Sequence, residues 1–123
     1  MILLLLLLLL PLQKAEPKRV EFARGASSTI VRGSVKGYEV MEYVLKASKG
    51  QTMTIKATSS SPHIVFSVFD EEGKHFEGSA SETTEWSGSL PRSGDYVIVA
   101  GLTRAASRRT KRSVPFSLKI SIE

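Results

Sequence analysis

Apolar residues alternate with polar ones along most of this chain, and a period of two marks strands with one buried face. The clearest case is the last: within residues 114–122, Val114, Phe116, Leu118, Ile120 and Ile122 share one side. The same pattern predicts strands at 19–23, 29–35, 38–47, 51–58, 86–90 and 95–102. In the third of these Met41, Tyr43, Leu45 and Ala47 fall together. Residues 64–69 form an apolar run, long enough for a buried strand and too short for most helices. Turn signals separate the strands, among them Lys36-Gly37, Ser48-Lys49-Gly50, Asp70 to Gly73 and Pro91 to Gly94. About eight short strands with no helical period predict an all-β fold, an antiparallel β-sandwich or barrel. Pro115 lacks an amide donor, so its end of the last strand is expected at an edge or bulge.

Composition narrows the picture. At 123 residues the chain suffices for one domain with its own core. It contains no cysteine, so disulfides, thiol nucleophiles and a lipid-modified Cys play no part. Residues 3–10 are all leucine, a run that fits a signal-peptide core and falls short of the roughly 20 residues that span a bilayer. Residues 1–15 are therefore expected to be a signal peptide cut after Ala15, leaving 16–123 as the folded domain without a stable membrane span. No Lys or Arg precedes the run and Gln13 suits that cut poorly. A retained signal anchor is the alternative. The cut removes Lys14 and no acid, which lowers the formal charge from +5 to +4.

That charge is uneven. Residues 70–85 carry six acids against Lys74 alone. Between the strands at 95–102 and 114–122 lies a connection far longer than a two- to five-residue hairpin loop. It holds Arg104, Arg108, Arg109, Lys111 and Arg112 with no acid among them. A long charged connection between rigid strands reads as a contact surface, and a solvated, disordered hairpin tip is the plain alternative.

Catalytic chemistry is hard to assemble from these residues. The two histidines, His63 and His75, are separated by a strand and an acidic turn, and nothing in their spacing forms a triad with a serine and Asp70. His63, Asp70, Glu71, Glu72 and His75 match no zinc spacing, and Asp70 to Glu72 lacks the oxygen pattern of an EF-hand loop. The glycines sit at turns and open no helix, which excludes phosphate and dinucleotide loops. No metal, cofactor or catalytic residue is assigned. Phe22, Tyr43, Phe66, Tyr96 and Phe116 read as core. Trp86 reads as a half-buried tryptophan between sheets, or else a sugar-stacking platform. Nucleic acid is not an expected partner, since no RNA-binding motif accompanies the basic residues.

A resemblance extends this reading. Val20-Glu21-Phe22, Arg24-Gly25 with Ser27-Ser28, and Gly33 with Lys36-Gly37-Tyr38 are similar to the start of the bacterial periplasmic inhibitors of goose-type (g-type) lysozyme. The similarity continues through Tyr43, Ala47, Lys49-Gly50-Gln51, Leu90-Pro91, Ser93-Gly94, Tyr96, and Thr103-Arg104 with Arg108, then Ile120 and Ile122. Residues 59–85 match poorly. The resemblance implies an eight-stranded antiparallel sandwich, a periplasmic location, and g-type lysozyme as protein target. It also implies that loops plug the enzyme's cleft through Tyr38, Arg104 and Arg108, with Ser27 and Ser28 as further contacts. The competing class is a secreted carbohydrate- or peptidoglycan-binding module using Trp86 and the basic loop. A purely structural envelope domain is a third reading, and an enzyme the last.

Overall fold

The computed structural model describes residues 16–123, so the expected signal peptide lies outside the described residues. Eight strands and one short helix follow in order: β1 (Lys18–Arg19), β2 (Ser28–Val35), β3 (Val40–Ala47), β4 (Thr52–Ser59), β5 (Ile64–Phe69), β6 (Glu85–Ser89), β7 (Gly94–Leu102), α1 (Arg104–Ser107) and β8 (Val114–Ile122). They form two four-stranded sheets, β1-β3-β7-β5 and β2-β8-β4-β6. Every pairing is antiparallel except β1 with β3, which is parallel. The all-β sandwich expected from the alternation is the observed fold.

The inward positions of both sheets make one core. Tyr43, Leu45, Tyr96, Ile98, Phe66 and Val68 come from the first sheet, and Met53, Ile55, Phe116, Leu118 and Ile120 from the second. Burying each large side chain contributes roughly 1.5–3 kcal/mol, enough to hold the layers together without cross-links. Tyr43 and Phe116 meet edge to face, with ring centroids 6.5 Å apart. The Tyr43 hydroxyl is buried without a hydrogen-bond partner among the described residues, and that burial pushes its pKa up. Gly33 in β2 makes room for it: a Cβ there would lie 2.5 Å from Tyr43 Oη and 2.9 Å from Phe116 Cζ.

Several expected boundaries shift. The alternation at 19–23 yields only β1, because pairing with β3 ends after Val20 N–H donates to the Val44 carbonyl at 2.8 Å. Val20 and Phe22 still pack on the core while the chain crosses to the second sheet. The third strand begins at Val40, since Lys36 to Glu39 close a turn: Glu39 N–H donates to the Lys36 carbonyl at 3.1 Å, and Lys36 N–H to Glu39 Oε1 at 2.9 Å. The fourth and sixth strands each move by one residue, to Thr52–Ser59 and Glu85–Ser89.

Pro115 is a different case. β8 is an interior strand, paired with β2 and β4. In an extended residue N and C=O point to the same side, and the Pro115 carbonyl accepts from Ser59 Oγ at 2.8 Å. Its missing N–H thus faces the β4 side, where the ladder has already ended at Ser59 opposite Phe116. The strand is central, yet the proline removes no ladder bond.

Candidate binding surface

The register fixes two poles. At one, β2 ends, β3 begins, β7 ends and β8 begins, so the turn at 36–39, the loop at 60–63 and the segment 103–113 gather there. The opposite pole holds the β1–β2 connection and the segments 48–51, 70–79 and 90–93, while 80–84 run back along β5, where Phe66 and Thr83 exchange backbone hydrogen bonds, to start β6 opposite Lys56.

At the first pole the basic connection is ordered, which its composition did not announce. Thr103 Oγ1 accepts from Ala106 N–H at 3.4 Å as the cap of α1. The Ser107 hydroxyl is buried and donates to the Thr103 carbonyl at 2.9 Å. Arg109 and Thr110 N–H both donate to the Ala106 carbonyl, at 3.2 and 2.9 Å. Thr103 N–H ties the whole turn to the His63 carbonyl at 2.9 Å. Ala106 is fully buried, so α1 sits on the core with its other side outward. Arg104 and Arg108 are both exposed, and a spacing of four residues sets them on one face of the turn.

Tyr38 joins them. Its turn packs against the same segment, because a Cβ on Gly37 would lie 3.9 Å from the Ser107 and Thr110 carbonyl oxygens. Gly37 has φ +59, a left-handed conformation that suits glycine and lets the turn close with Tyr38 at its tip. Tyr38 is 71% exposed, the most open of the large apolar side chains. Among the described residues Arg104, Arg108, Arg109, Lys111 and Arg112 form no ion pair. The pole is a prearranged aromatic and cationic surface without internal charge partners.

Ser27 and Ser28 are not part of it. Ser28 opens β2 opposite Ser121, and the Ser27 carbonyl accepts from Ile122 N–H at 2.8 Å. They stand at the far pole, about 23 Å along the strand from Val35. The resemblance set them beside Tyr38 as further contacts; the direction of β2 puts them at its opposite end. Sequence reasoning named Gly37 as a turn and Thr103 within the resemblance, but missed that these two and Ser107 hold the surface in place. A threonine ahead of Arg-Ala-Ala-Ser was the legible signal, since Thr is a favoured helix cap.

The far pole spends its charge internally. Asp70 Oδ1 accepts from the N–H groups of Glu72 and Lys74, at 3.0 and 2.9 Å, and Oδ2 lies 3.2 Å from Arg92. The Lys74 N–H above all, with that of Glu72 and the Arg92 and Lys74 charges, holds the Asp70 carboxyl below its ordinary value against partial burial. Tyr96 Oη donates to the Arg92 carbonyl at 2.7 Å and accepts from its N–H at 3.1 Å, locking the neighbouring turn. His75 stacks on Phe69 there, while His63 lies at the other pole. Trp86 faces inward, its Nε1–H donating to the Gly78 carbonyl at 2.8 Å and its ring lying over Gly88. It is the half-buried tryptophan at the margin of the core.

These features define a small β-sandwich binding protein with one preordered basic and aromatic pole. No family model matches the chain, and no curated protein matches it. Solved structures do. The Aeromonas hydrophila PliG, a periplasmic lysozyme inhibitor of g-type lysozyme, is 38% identical, with a TM-score of 0.78 over 89% of this chain and 98% of that one. A mutant of the Escherichia coli PliG is 26% identical, with a TM-score of 0.70 over 87% of this chain and 97% of that one. The Salmonella Typhimurium PliG agrees in fold, at 24% identity and a TM-score of 0.71 over 89% and 100%. The chain belongs to the PliG family of periplasmic inhibitors of g-type lysozyme.

Proposed function

We propose that this protein is a periplasmic inhibitor of g-type lysozyme that occludes the enzyme's substrate cleft with Tyr38, Arg104 and Arg108. The observation that carries the reading is the 38% identity to the Aeromonas hydrophila inhibitor over 98% of that chain. The chemistry supports it. Glycan cleavage depends on a carboxylic acid in the cleft. A guanidinium offers two parallel donors to a carboxylate and stays charged at any relevant pH. Arg104 or Arg108 engages that carboxylate while Tyr38 packs on the cleft wall. Inhibition is by occlusion, with no covalent step. Because α1 is already ordered, little backbone entropy is lost on binding, and the main ordering cost falls on the exposed side chains. Ser27 and Ser28, at the far pole, stay outside this contact.

The test is residual g-type lysozyme activity on cell-wall substrate, titrated with this protein beside c-type lysozyme. Stoichiometric loss of the g-type activity alone is the expected result. Unchanged activity at large excess overturns the reading.

A further inference from the structure

The outer faces of the two sheets differ in a way that inhibition does not use. A sheet with one solvated face ordinarily turns polar residues outward. The β2-β8-β4-β6 sheet mostly does so, with Arg32, Lys119, Thr54, Lys56 and Ser87 outside and Ile30, 52% exposed, as the lone large apolar side chain among them. The β1-β3-β7-β5 sheet instead shows Val40, Val44, Val97, Val99, Val65 and Phe69 on its outer side. Val40 is 47% exposed. The register sets Val44, Val97 and Phe69 in one row across three strands. Glu42 lies on one side of that row, in line with Val99, and Lys46 on the other, in line with Asp95. Arg19 reaches across β3 from the edge strand to pair with Asp95 at 2.8 Å.

We propose that two copies of this chain associate face to face through this outer surface. The charges identify the occupant as a second copy, because they are self-complementary. A two-fold axis lying between the two faces, across the strands at the Val44 row, reverses the strand direction of one copy. The apolar row then meets its own counterpart. Glu42 of each copy meets Lys46 of the other, beside the Arg19–Asp95 pair, and the contact closes as an isologous dimer. Sheets of like twist pack in this aligned manner about 10 Å apart. The face measures about 400 Å² per copy at standard strand spacing, half the roughly 800 Å² of a stable interface. The dimer is therefore weak, with dissociation in the micromolar range. Its reversed strands send the two α1 poles in opposite directions and leave both free, so it does not depend on the inhibitor reading.

Sedimentation equilibrium of the purified protein from about 5 to 500 μM tests it, a range that brackets a micromolar constant. The expected result is a reversible monomer–dimer equilibrium. Glu42→Lys or Lys46→Glu alone weakens it about tenfold by placing like charges opposite each other, and the double exchange restores it. Val97→Lys abolishes the dimer without changing inhibition per chain. Circular dichroism verifies that each variant is folded, and the exposed charge exchange stands as the test if Val97→Lys is not. A monomer throughout, a dimer that survives Val97→Lys, or a double exchange no better than the single ones overturns the proposal.

Discussion

At one pole of the sandwich, five cations on the segment 103–113 find no ion-pair partner within the described residues, and an open tyrosine stands on the neighbouring 36–39 turn. At the other, Asp70 accepts two backbone N–H groups and faces Arg92, whose own backbone is gripped by Tyr96. Both poles carry charged connections of one sandwich, the basic one between β7 and β8 and the acidic one between β5 and β6. One uses charge to shape its own loop. The other holds its loop with neutral groups, the Thr103 and Ser107 hydroxyls and the core-packed Ala106, and keeps its charges outward. Charge in a loop therefore signals a partner surface only where backbone order comes from something else.

The largest effect that would break this contrast is at the basic pole. Arg104→Ala and Arg108→Ala should each weaken inhibition of g-type lysozyme by at least about 2 kcal/mol, roughly 30-fold, as for other anchors of protein interfaces. Exposed and unpaired, they should leave the melting temperature nearly unchanged. If both variants inhibit normally, the basic pole is not the contact.

Asp70→Asn should do the reverse, lowering stability at neutral pH and leaving inhibition intact. The sign of its pH dependence follows from the depressed carboxyl. Asp70 binds its proton less readily in the folded chain than in the unfolded one. Its contribution is thus present above the unfolded value, near pH 4, and fades as the pH falls through the lower folded value. Denaturation midpoints measured from pH 7 down to pH 2 should show a shallower acid limb in the variant.

Smaller effects sharpen the comparison. Thr103→Ala removes the cap of α1 and should cost about 1 kcal/mol or less of stability, with a loss of inhibition at least as large. That outcome, read from paired melting and inhibition curves, separates preordering of the arginines from their mere presence. Tyr43→Phe touches neither pole. It deletes a buried hydroxyl without a partner among the described residues, so urea denaturation should show unchanged or slightly higher stability, by up to about 1 kcal/mol.

Much of the fold was legible. Five-fold alternation in 114–122 and the same period in 40–47 and 52–59 give strands whatever their partners, because one buried face suffices to set the period. Boundaries were less legible where a local turn competes, as at Lys36 to Glu39, or where pairing simply runs out, as after Val20. The site was legible in part. Charge marked the whole stretch from Arg104 to Arg112 and a Lys-Gly turn marked Tyr38, while only the family resemblance singled out Arg104 and Arg108 within that stretch.

The sequence alone determined the strands, the polarity of charge along the chain, and the family resemblance that the solved structures bear out. These are local properties, carried by side-chain period and residue identity. Only the tertiary structure decided which loops share a pole. It joined Tyr38 to the α1 arginines, sent Ser27 and Ser28 to the other end, and gave one sheet a valine-rich outer face. The reason is physical: strand pairing acts between residues far apart in sequence, and its order and register are settled by the whole core at once.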